Sequence, residues 1–277
     1  MSFVPPGDET AEFCVIARKQ VAEIFPEYLG PALRSLSLFG SVAAGGPLWA
    51  GSDLDLVIIV NGAPGGTAPL CRQVALASNE ATALTGLPVS AATGTWADVS
   101  MLWSTTVRRA LTDNSVTLVG EPLAELLSPP GHRWDWAEVA RGAARLLCFT
   151  RRHIIDRFTA LTGENARAGV PGESAASGPG ILKHSLNATR FALWSVTPED
   201  RPLLSRPEKV LDAFGPMFPE LAATDVPGRA LTHLLQATSP PPELLTACVD
   251  LADGLLQACR RHNAGLFRQG DIFIDPL

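Results

Sequence analysis

Lysine is nearly absent from this chain of 277 residues: Lys19, Lys183 and Lys209 are the only three. The net charge is −6, so the chain lacks the strongly basic balance that a nucleic acid duplex favours, and no nucleic acid partner is expected. Cys-x-x-Cys pairs are missing too. Cys14, Cys71, Cys148, Cys248 and Cys259 are scattered, which predicts reduced, mostly buried thiols and no disulfide framework. The histidines show no His-x-x-x-His spacing, so no zinc site is assigned. No apolar run is long enough to span a bilayer. The opening stretch Met-Ser-Phe-Val-Pro-Pro-Gly-Asp has no basic segment leading into an apolar one, so no signal peptide is expected. A cytoplasmic protein without a membrane partner is the expectation.

What remains is an ordinary globular composition, long enough for one large domain or two smaller ones. Phe13, Ile16, Ala17, Val21 and Ile24 recur at helical spacing, which predicts a helix over 10–25 with Thr10 as its N-cap and Pro26 after its last turn. Short strands are expected at 36–39 and 53–60, joined by a glycine-rich connection. A helix is expected at 69–85, ended by Gly86. A third strand is expected at 97–102, a helix at 104–114, and a last strand or loop at 116–123. Past Ser128-Pro-Pro-Gly131 the pattern turns helical, with long segments at 134–162, 181–196 and 242–262. Ser205, with Pro207 and Glu208 behind it, has the spacing of a helix start. Residues 165–180 read as a flexible loop. The chain is therefore divided into 1–130, a mixed α and β part, and 131–277, a helical part.

Chemistry concentrates in Gly40-Ser41 and, twelve residues after Ser41, Asp53-Leu-Asp55. On a strand, carboxylates at i and i+2 share a face. The run behind them, Leu-Val-Ile-Ile-Val60, reads as buried strand. Two acids on one side of such a strand need a cation, because desolvating an unpaired carboxylate is costly. A divalent metal shared with a phosphate-bearing substrate meets that need. Gly40-Ser41 follows a strand and opens a turn, where glycine lets the backbone approach a phosphate and serine donates to it. Asp98 is an acid inside the apolar run of the expected third strand; a turn aspartate after Gly94-Thr95-Trp96 is the alternative.

Strand, Gly-Ser, short linker and Ser52-Asp53-Leu-Asp55 leading into an apolar strand together resemble the polymerase-β-like nucleotidyltransferase superfamily. The resemblance covers about the first half of the chain. It implies an α+β fold: a small mixed sheet with helices, followed here by an α-helical bundle. It implies that Gly40, Ser41 and Ser52 lie against a nucleoside triphosphate, and that Asp53, Asp55 and Asp98 hold Mg²⁺ and act in catalysis. In the second half, Lys183-His-Ser-Leu-Asn187-Ala-Thr-Arg190-Phe-Ala-Leu-Trp194 and Leu204-Ser205-Arg-Pro-Glu-Lys209-Val resemble the helical domain of aminoglycoside nucleotidyltransferases, closest to the streptomycin and spectinomycin type. That implies phosphate contacts from Lys183, Arg190 and Lys209. Lys183, Asn187 and Arg190 can share one helix face; a solvated basic face is the plain alternative. The chain departs from the superfamily pattern in having Val42-Ala43-Ala44 where a polar residue often follows Gly-Ser, and in a linker one residue longer.

The expected activity is Mg²⁺-dependent transfer of a nucleoside monophosphate, with ATP as donor, to a hydroxyl of a small molecule such as an aminoglycoside or related natural product. Two other readings stand beside it: a protein-modifying, antitoxin-type nucleotidyltransferase, and a catalytically silent nucleotide-binding protein. Trp49, Trp134 and Trp136 are candidates for stacking on a base or a substrate ring, or plain core or interface filler. Asp135, Glu138, Asp156 and Glu164 are candidates for receiving a cationic amine, or ordinary surface acids.

Overall fold

The structure, a computed structural model, describes residues 8–45, 48, 52–62, 66–162, 173–197 and 207–264. The chain divides into two compact units, Met1–Trp134 and Asp135–Leu277.

The first unit is built on a four-stranded mixed sheet in the order β3-β2-β1-β4. Strand β1 (Leu33–Phe39) runs antiparallel to both β2 (Leu54–Val60) and β4 (Val116–Gly120), while β3 (Val89–Thr95) lies parallel to β2. Alternation along β1 and β2 sends Leu36, Leu38, Leu56, Ile58 and Val60 to one face. There they pack under α1 (Asp8–Leu29) and α3 (Thr67–Thr85) through Cys14, Ala17, Val21, Phe25, Ala77 and Ala81. Val57 and Ile59 face the other way. They pack against Val99 of α4 (Trp96–Leu102), Leu111 of α5 (Thr105–Asn114), and Leu123 and Leu127 of α6 (Leu123–Leu127). On that second face Ser35 Oγ donates to the Glu121 carbonyl at 2.7 Å, and Ser37 Oγ and Thr117 Oγ1 share a hydrogen bond at 3.1 Å. The sheet is thus covered on both sides.

Several expected boundaries move. Helix α1 continues through Pro26 to Leu29, because Phe25 and Leu29 are buried in the core beneath it and that burial outweighs one missing backbone donor. The expected strand at 97–102 is a helix, and the third strand lies before it, at Val89–Thr95. The reason is local: Thr95 and Asp98 form a reciprocal capping box that starts α4.

The second unit is helical throughout its described residues. Helices α7 (Trp136–Thr162), α8 (Glu173–Val196) and α12 (Pro242–His262) pack on one another, with α9 (Pro207–Met217), α10 (Pro219–Ala222) and α11 (Val226–Leu235) completing it. Leu147 and Ile154 of α7, Ile181 and Leu193 of α8, and Leu251 and Leu255 of α12 are buried. Helix α8 begins at Glu173, within the stretch expected to be a loop. Ser205 lies outside the described residues. Cys14, Cys248 and Cys259 are buried, and burial pushes their thiols up; Cys71 is exposed. Among the described residues no helix is long and apolar enough to cross a membrane.

Candidate functional site

One end of the sheet gathers the Gly-Ser turn and the paired aspartates. The register sets Phe39 of β1 opposite Asp55 of β2. The chain leaves β1 at Gly40 and enters the four-residue helix α2 (Gly40–Ala43). Gly40 has φ +80°, and a β-carbon built on it would lie 2.6 Å from Asp55 Oδ2. Only glycine allows this approach: the backbone angle is unfavourable for other residues, and the space is already filled by the carboxylate. Ser41 takes the second position of the turn and is half-buried. Asp55 continues the row of Val57 and Ile59 at the end of the sheet, and is half-buried. Asp53 lies one residue before the strand, half-buried, next to the buried Ser52. The Leu54 amide donates to the Pro88 carbonyl at 2.8 Å, tying this end of β2 to the start of β3.

The turn is held from a direction that sequence reasoning did not foresee. Arg18 of α1 donates from Nε and Nη2 to the Val42 carbonyl at 3.2 and 2.7 Å, and from Nη2 to the Ala43 carbonyl at 2.7 Å. A lone arginine on an amphipathic helix carries no motif. The one available signal is its position four residues after Cys14 and next to Ala17, beside the buried face.

Asp98 is placed elsewhere. It belongs to the first turn of α4, and its Oδ2 accepts from the Thr95 amide at 2.7 Å and from Thr95 Oγ1 at 2.8 Å. These bonds favour the ionised carboxylate and hold its pKa below the usual value. In register, Thr95 lies opposite Val60 and Ser90 opposite Asp55. Five residues of strand therefore separate the two levels, roughly 16 Å at the usual rise per residue. The structure does not bring Asp98 to Asp53 and Asp55, which corrects the expectation of a third carboxylate on a central strand. Strand β3, Val-Ser-Ala-Ala-Thr-Gly-Thr, carries no acid at all. Among the described residues no group of three or more His, Cys, Asp or Glu side chains is arranged to hold a metal ion.

In the helical unit Lys183, Asn187, Arg190 and Trp194 fall at spacings of four, three and four on α8 and form one half-buried to buried stripe. Arg190 Nη1 donates to Asn187 Oδ1 at 2.9 Å, but Nε is buried without a partner, as is Trp194 Nε1. Burial lowers the Arg190 pKa to about 10. A guanidinium so placed, with a neutral amide for company, suits an anion. Next to Lys183, the His184 ring stacks on His153 of α7 with centroids 5.4 Å apart. Burial first, then Arg157, His153 and Lys183, lowers the His184 pKa to about 4. The three neighbours are a local concentration of basic groups. Lys209 is exposed on α9, a different helix.

The aromatic and acidic candidates mostly have structural employment. Trp134 meets His132 edge to face and lies under the Arg109 guanidinium at 5.5 Å. Asp135 Oδ1 accepts from the Ala137 and Glu138 amides and caps α7. Asp156 pairs with Arg152 at 3.8 Å across one exposed helical turn. Trp136 and Glu138 lie in the first turn of α7, Trp136 half-buried and Glu138 exposed. Trp49 and Glu164 lie outside the described residues.

No protein-family model matches the chain, and no curated protein shows significant similarity to it.

Proposed function

We propose that the chain is a magnesium-dependent nucleotidyltransferase of the polymerase-β-like kind. It would transfer a nucleoside monophosphate from ATP to a hydroxyl of a small molecule, such as an aminoglycoside or related natural product. The observation that carries this reading is the apposition of Gly40 and Asp55: a glycine turn at the end of one strand, closed against a carboxylate at the start of its antiparallel neighbour.

Mg²⁺ is usually held by one or two carboxylates together with substrate phosphates and water. Asp53 and Asp55 suit that donor set. When bound, the metal neutralises charge on the phosphoryl group under attack and on the leaving pyrophosphate. The chain's own residues do the positioning. Gly40 admits the phosphate to the backbone, and Ser41 with the first-turn amides of α2 donates to its oxygens. Buried Ser52 sets the stem from which Asp53 projects. Within the helical unit, the Lys183 and Arg190 stripe on α8 is suited to an anion in its own right. In the reaction the acceptor oxygen would bond to the α-phosphorus as the bond from that phosphorus to pyrophosphate breaks, and the hydroxyl proton would pass to solvent. Asp98 has no part in this proposal, since its carboxylate is committed to Thr95. The reading implies a cytoplasmic protein, where ATP is supplied, with no nucleic acid or membrane partner.

A second reading, a catalytically silent nucleotide-binding protein, is favoured by one specific observation: β3 carries no carboxylate beside Asp55. One experiment separates the two. The protein is incubated with Mg²⁺ and labelled ATP, alongside other labelled nucleoside triphosphates, and with aminoglycosides or cell lysate. Label on a small molecule supports the first reading. Label on a protein replaces the acceptor, and binding without transfer supports the silent reading.

A further inference from the structure

We infer that Arg18 is the positioning residue of the Gly40–Ser41 phosphate turn, an inference that rests on the nucleotide-binding reading above. Helix α2 is too short to order itself: four residues form barely one turn, and the carbonyls at its end have no helical partners. Val42 and Ala43 are buried, so water cannot readily serve those carbonyls. Arg18 reaches both of them, and the Gly45 amide shares the Val42 carbonyl at 3.3 Å. For the Ala43 carbonyl, Arg18 is the hydrogen-bond partner the structure shows.

The guanidinium is itself well placed to act as a clamp. Cys14, Ala17 and Val21 of α1 are fully or almost fully buried and anchor the helix on the sheet, so Arg18 projects from a fixed base. Its planar fork spans two successive carbonyls, which a single ammonium would do less well. At the other end of the same turn, Gly40 rests against the Asp55 carboxylate. The turn is thus held by Arg18 on its carbonyl side and closely approached by the Asp55 carboxylate on its entry side. This hold fixes the direction of the amides at Ser41 and Val42, the groups that would meet a phosphate.

The test uses the full chain and inorganic tripolyphosphate with Mg²⁺, with affinity measured by calorimetry and folding by thermal unfolding. Wild type is expected to bind. Arg18→Gln is expected to weaken binding about tenfold or more, the scale of losing a charge-assisted contact, while its cooperative unfolding persists. Arg18→Lys should recover part of the loss, because the charge is kept and the fork is not; it carries the comparison if Arg18→Gln does not fold. Equal affinity of the Arg18 variants and wild type overturns this inference and leaves the nucleotide-binding reading standing. Absence of tripolyphosphate binding by wild type overturns both.

Discussion

Asp55 and Asp98 are the same side chain at opposite ends of one sheet, and they are used in opposite ways. Asp55 lies at the start of a central strand, against a glycine that leaves no room for a β-carbon. Asp98 lies beyond the end of an edge strand, its Oδ2 bound to the amide and hydroxyl of Thr95. The first arrangement joins two separate segments of chain. The second is closed within four residues and starts a helix. An acid amid apolar residues has no fixed meaning; what decides it is whether its partners are local or distant.

The largest expected difference between the two ends is in activity. On the proposed function, Asp55→Asn should lower nucleotide transfer by about a thousandfold or more, the scale of losing a carboxylate that would hold the metal. Asp98→Asn should leave the rate within about twofold, as the outer limit for a residue remote from the chemistry. Transfer of labelled nucleotide measures both, and equal losses would remove the distinction between the ends.

Next in size is the cost of adding a methyl group. Gly40→Ala combines a left-handed backbone angle with a clash against Asp55, and should cost about 3 kcal/mol of stability as well as nucleotide binding. Gly120→Ala, at the far end of the sheet, has the same strain and meets the Arg34 carbonyl. It should cost at least as much, about 3 kcal/mol or more, because a backbone carbonyl cannot swing aside as a side chain can, with nucleotide affinity preserved. Denaturant unfolding paired with ATP binding separates the two roles.

Smaller is the effect of losing the capping box. Asp98→Ala should lower the unfolding midpoint by a few degrees, with α4 fraying first in hydrogen exchange. The pH dependence of that loss has a definite sign. Because the folded pKa is lowered, the stabilisation is present above the unfolded value, near 3.8, and fades as the pH falls through the lower folded value. Unfolding midpoints of wild type and Asp98→Ala should therefore differ at neutral pH and converge only in strong acid. A gap that closed near neutrality would place Asp98 in a different environment.

The same contrast explains what was legible in the sequence. Strands β1 and β2 and the turn at Gly40 could be read, because their apolar runs and the Gly-Ser and Asp-x-Asp spacing are local patterns. So could the helices α3, α5, α7 and α12. Strand β3 could not: Val-Ser-Ala-Ala-Thr-Gly-Thr has Val89, Thr93 and Thr95 as β-branched residues, but no aromatic or large aliphatic run, and it borrows its order from β2. The run at 97–102 was apolar enough to take its place, although Thr95 followed three residues later by Asp98 was a visible helix start. Arg18 was invisible for another reason. Its partners lie 24 and 25 residues away, and a hydrogen bond to a main-chain carbonyl leaves no trace in residue types.

The capping box has one more consequence, for the company the protein keeps. Strand β3 is a sheet edge, and an unpaired edge is a template on which another chain can add a strand. Here the edge is seven residues long, without large apolar side chains beyond Val89, and cut off where Thr95 turns the chain into a helix. Asp98, in fixing that turn, limits how far the sheet can be extended by a neighbour, so its loss should also raise the tendency to aggregate under partial unfolding.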